Sequence, residues 1–130
     1  SDGIEILEEQ NSSNLIKFED GQLAFMTIEL SNRIALVSEV SSGEYTADTS
    51  VRIINPITRK EKNYNTRNIA KSMQASDNKI ALNFGTELHI INKSGILLKK
   101  YISNTEINDI VITDAVVGIV YKDKIQLINI

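Results

Sequence analysis

The 130-residue chain has no cysteine and no tryptophan, a single proline at Pro56 and a single histidine at His89. Without cysteine there are no disulfides, thiolate nucleophiles, Cys-ligated zinc sites or iron–sulfur clusters. One histidine cannot build a multi-histidine metal site. No apolar run approaches the roughly 18 residues that span a bilayer, so no membrane insertion by this segment is expected. Nor does the chain open on a basic-then-apolar leader. The six glycines form neither a phosphate loop nor a dinucleotide fingerprint. No serine sits in a nucleophile elbow, and Asp20-Gly21 and Asp48-Thr49-Ser50 lack the ligand spacing of a calcium loop. No catalytic residue, cofactor or metal is therefore expected. The net charge of −3 argues against a nucleic-acid groove, which needs clustered positive charge. The short basic stretches Arg59-Lys60-Glu61-Lys62 and Lys99-Lys100 read as solvated strand surface.

What the chain does have is isoleucine, 21 of them, with 7 valines. Side chains branched at Cβ fit a pleated surface better than a helix, so the composition favours strands. Residues 77–92 superpose on 114–129 without a gap, an offset of 37: Ile80 meets Val117, Leu82 meets Ile119, Phe84 meets Tyr121 and Asn92 meets Asn129. Taken backwards, the offset pairs Val51, Ile53 and Asn55 with Leu88, Ile90 and Asn92, and Tyr64 with Tyr101. A third copy starts upstream, where Ser31–Leu36 matches Asp77–Leu82 at an offset of 46. Its nine extra residues lie between Leu36 and Val51.

The most regular unit reads as four short strands, Ser72–Ala75, Lys79–Phe84, Glu87–Ile91 and Ile96–Tyr101. The last unit supplies three: Asp109–Thr113, Val116–Tyr121 and Lys124–Ile128. Asn and Gly at the connections provide the backbone freedom of tight hairpins. The fold class expected is all-β, built from antiparallel four-stranded, blade-like repeats of 37–46 residues. Such a period describes a partial β-propeller, with a β-sandwich or open stack as the alternative. Phe18, Tyr64 and Tyr101 would then share one position near the outer rim.

As domain organisation, residues 1–130 read as one β-repeat region with units at about 24–64, 70–101 and 107–130, and a partial unit at 1–18. Three-odd blades do not close a ring. A longer natural protein, or a homo-oligomer completing the ring, would resolve this. Within one chain or between two, Asn14–Phe18 could serve as the missing outer strand of the last unit.

The segments Asn78–Leu82, Glu87–Gly95 and Lys124–Asn129 resemble the degenerate propeller repeats of cell-surface proteins in clostridia and related Gram-positive bacteria. The resemblance implies a propeller in an extracellular or cell-surface setting and carries no assigned chemistry.

Among single residues, His89 alternates away from Leu88 and Ile90, and its repeat equivalents Arg52 and Gln126 are polar. It therefore reads as an exposed strand position. Asp77 and Asp114 recur at turns, where short side chains bond their own backbone. The insertion is the one site-like departure from the repeat, because insertions in repeat proteins often emerge on the binding face. Glu39, Glu44, Tyr45 and Asp48 would form an interaction loop there, an aromatic anchor among acids, with a longer hairpin as the plainer reading. The expected function is a non-catalytic structural or protein-interaction module. The alternative is a glycan-binding or glycoside-acting propeller enzyme using converging carboxylates, so the expected partners are protein or glycan.

Overall fold

The computed structural model describes the backbone of residues 3–8, 11–17, 22–41 and 47–130, and side chains over 3–5, 26–38 and 50–130. Among these residues there is no helix, and so none long and apolar enough to cross a membrane. An N-terminal hairpin pairs β1 (Gly3–Glu8) with β2 (Asn11–Lys17). The first sheet runs in chain order through β3 (Gln22–Leu30), β4 (Arg33–Ser41), β5 (Ala47–Ile54) and β6 (Glu61–Thr66). The second repeats that order with β7 (Ser72–Ala75), β8 (Lys79–Asn83), β9 (Glu87–Asn92) and β10 (Leu97–Ile102). The third holds β11 (Asp109–Ile112), β12 (Val116–Val120) and β13 (Ile125–Asn129). Every pairing is antiparallel.

The recurring asparagines explain the matched hairpins. Asn55 closes β5, and its Oδ1 accepts from the backbone N–H groups of Ile57 and Thr58 at 3.0 and 3.2 Å. Asn92 closes β9 and accepts likewise from Ser94 and Ile96 at 2.9 and 3.1 Å. In each case a short amide side chain replaces the backbone partners that the turn cannot supply.

The second sheet lies in the middle of the stack, and its pleat feeds two cores. Ile80, Leu82 and Ile91 face the first sheet and pack with Leu30, Ala35, Val37, Val51 and Ile53. Ala81, Leu88 and Ile90 face the third and pack with Ile107, Ile110, Val117 and Ile119. Side chains alternate across a strand, so Ile80-Ala81-Leu82 serves both cores from consecutive residues. A small sheet cannot cover its own two faces, and here its neighbours cover them.

The chain is all-β and repetitive, but it is not a propeller. Among the described residues no sheet closes or curls into a ring; the sheets form an open stack. The expectation of a partial β-propeller, drawn from the period and from the resemblance to clostridial surface proteins, is overturned, and the open-stack alternative holds. The closing strand is engaged elsewhere: Asn14–Lys17 pairs with β1, with Ile16 opposite Ile4 and Asn14 opposite Glu5. Its backbone groups are spent in that hairpin, the third sheet stays three-stranded, and the expected homo-oligomer completing a ring falls with it.

Candidate functional site

The described residue types that converge best do so where the turn of the second sheet meets the edge of the first. Arg33 follows the tight β3–β4 turn, in which Asn32 takes φ of 59°, and its Nη1 donates to the Asn32 carbonyl at 2.8 Å. Lys60 stands just before β6 and Lys62 is its second residue. Lys93 and Ser94 belong to the β9–β10 turn. Gly95 is what lets that turn approach: its φ is +76°, and a Cβ there would stand 2.8 Å from the carbonyl oxygen of Asn63 on β6. Only glycine meets both demands without strain.

Together Arg33, Lys60, Lys62 and Lys93 line a groove of about 310 Å³, with Asn55, Thr58 and Ser94 adding neutral polar groups and Ile53 its apolar side. The one acid on the lining, Glu61, is turned to Arg52, which donates through Nε at 3.0 Å and Nη2 at 3.2 Å. Among the described residues none of the four groove cations forms an ion pair. No aromatic side chain lines the groove.

A second polar constellation is buried in the seam between the first two sheets. His89 is 4% exposed, which corrects the expectation of an exposed strand position. Its Nδ1 lies 2.7 Å from the Tyr64 hydroxyl and its Nε2 3.0 Å from Glu87 Oε2, while the Phe84 ring packs against it at 4.5 Å between centroids. The tautomer with its proton on Nε2 satisfies both contacts: Tyr64 donates to Nδ1 and the ring donates to Glu87. One repeat on, Tyr101 donates to Gln126 at 3.3 Å. The seam is thus a recurrent tyrosine-to-polar pairing, and the histidine is its local form.

Carboxylate, imidazole and hydroxyl in series invite comparison with a catalytic relay, but the electrostatics oppose it. Burial, and then the charge on Glu87, push the Tyr64 hydroxyl above its ordinary value, the reverse of what activates a phenol. The bond from His89 above all, with Lys100 adding to it, holds the Glu87 carboxyl below the usual range. Asp114 is held low as well, by Ser76 and then by Asn78, whose amide Nδ2 and backbone N–H donate to it at 2.6 and 3.0 Å. Lys79 Nζ donates to the Asp114 carbonyl at 2.7 Å. Asp114 therefore ties the β11–β12 turn to the β7–β8 turn, a job between sheets rather than within its own backbone.

The expected interaction loop is only partly in view. Glu39 and Asp48 lie on β4 and β5, opposite Thr49 and Val40, so part of the insertion lengthens the hairpin. Their side chains, and Glu44 and Tyr45 altogether, lie outside the described residues. The basic stretch around Lys60 read in isolation as solvated surface. What sequence reasoning missed is that the repeat places the turns after Asn55 and Asn92 at one end of the stack, which brings Lys93 to Lys60 and Lys62.

No family model, curated protein or solved structure matches the chain.

Proposed function

We propose that the chain is a non-catalytic binding module whose ligand is an acidic glycan, held in the groove of Arg33, Lys60, Lys62 and Lys93. The observation that carries this reading is the set of four cations around one groove that have no carboxylate partner among the described residues, on a chain whose net charge is −3. Cations left unpaired on a negatively charged protein favour an external anion, and a groove concentrates their field. The hydroxyl and amide groups of Thr58, Ser94 and Asn55 suit the hydroxyls of a sugar. A single-stranded nucleic acid would call for aromatic platforms on which bases stack, and none lines the groove. Non-catalytic binding agrees with the carboxyls of Glu87 and Asp114, both held ionised rather than poised as acids.

The test is calorimetric titration of the protein with a short oligogalacturonate and with its methyl ester, which keeps the shape and removes the charge. The reading expects binding of the acid that weakens with added salt, and none of the ester. Equal binding of both, or of neither, overturns it.

A further inference from the structure

The third sheet presents an apolar face to solvent. Across it, Val111, Gly118 and Leu127 stand in register, with Val120 opposite Ile125 in the next row. Leu127 is 71% exposed, Ile125 65% and Val111 56%. Gly118 keeps the centre low, since a Cβ there would stand 2.7 Å from Val111 Cγ2.

The repeat says what such a face is built for. Shifting by 37 residues takes Gly118 to Ala81, Ile125 to Leu88 and Leu127 to Ile90, all buried beneath the third sheet. One unit earlier the matching positions are Ala35, Val51 and Ile53, all buried beneath the second sheet. In both described instances the occupant is another antiparallel sheet of this repeat. In both, the mating surface is the opposite face of the next sheet: Ile110, Val117 and Ile119 in one, Ile80, Leu82 and Ile91 in the other.

We infer that the β11–β13 sheet docks face to face on the same sheet of a second copy, in a two-fold dimer that forms no ring. Symmetry favours this arrangement. The opposite faces of all three sheets are already covered, as the burial of Leu36, Ile54, Ile80, Leu82, Val117 and Ile119 shows. Among the described residues a second copy therefore offers the same uncovered face, and a self-complementary patch gives a closed dimer. Asp109 stands on this face opposite Val120, at the end of the Val120–Ile125 row, and with Asp123 it offsets Lys122 and Lys124, so no field of one sign opposes self-association. Two such sheets pack aligned about 10 Å apart, as in a β-sandwich.

The experiment is sedimentation equilibrium of the wild-type chain, Leu127→Asp, Ile125→Asp and, as a control, Ile57→Asp, whose residue is exposed elsewhere. Circular dichroism confirms the fold of each. Leu127 and Ile125 are exposed in the single chain, so their substitution leaves the protomer folded, and either one alone serves the test. A wild-type dimer weakened at least about tenfold by the Leu127 or Ile125 change and unaffected by Ile57→Asp is the expected result. A wild-type monomer at every attainable concentration overturns the inference. So does a dimer that the Leu127 and Ile125 changes leave intact, since that locates association elsewhere, for instance along the free edge of β13.

Discussion

The Tyr64 hydroxyl and His89 Nδ1 lie 2.7 Å apart across the seam between the first two sheets, and Tyr101 with Gln126 repeats the contact one unit later. The pairing ties the outermost strand of one sheet to the third strand of the next. It fixes the distance at which neighbouring sheets stack, and so where the turn carrying Lys93 falls.

Tyr64→Phe should therefore destabilise the chain by about 1–2 kcal/mol, because the buried Nδ1 loses its donor. Combined with His89→Leu, the double variant should cost less than the two single changes added together. Urea titration of the three variants measures that coupling.

The same bonds set the pH response. Glu87 and Asp114 have folded-state values below their unfolded ones. Their contribution is fully present above the ordinary carboxylate range of roughly pH 4–4.5 and is lost as pH falls through the lower folded values. Tyr64 is raised, so its contribution is present below about pH 10 and is lost as pH rises past that. Melting temperature against pH should fall on both limbs. Asp114→Asn should flatten the acid limb, and Tyr64→Phe the alkaline one.

Much of the fold was legible in the sequence. The offset of 37 placed strands at Ser72–Ala75, Glu87–Ile91 and Val116–Tyr121 close to where they lie, because burial on alternate faces imposes a period that the residues must obey. Closure was not legible. A repeat records how one sheet meets the next, and a ring depends on how small rotations accumulate and on which partner the end strands find. Asn14–Lys17 found β1. His89 misled for a related reason: polar equivalents at 52 and 126 suggested exposure, whereas all three positions are satisfied by neighbours, Glu61, Tyr64 and Tyr101. The groove escaped notice because its cations come from three separate hairpins.

Core and face should respond oppositely to the same substitution. Leu82→Ala, fully buried between the first two sheets, should cost roughly 2–5 kcal/mol through lost transfer energy and a cavity. Leu127→Ala should change the protomer's stability by less than about 0.5 kcal/mol. Denaturant titration at low protein concentration compares them.

Gly95→Ala joins stability to function. It places a Cβ on a residue with φ of +76°, against the Asn63 carbonyl. The change should destabilise by at least about 1 kcal/mol and push the Lys93–Ser94 turn away from β6, lowering affinity for an acidic oligosaccharide. Paired charge reversals at Lys62 and Lys93 should weaken that affinity at least about tenfold with stability unchanged within about 0.5 kcal/mol.

The central claim is the groove, and amide chemical-shift mapping during titration with oligogalacturonate tests it most directly. The account predicts saturable shifts gathered at Arg33, Thr58, Lys60, Lys62, Lys93 and Ser94, while Val111, Ile125 and Leu127 stay still. Shifts spread over other lysines, centred on another surface, or absent at saturating ligand would contradict it.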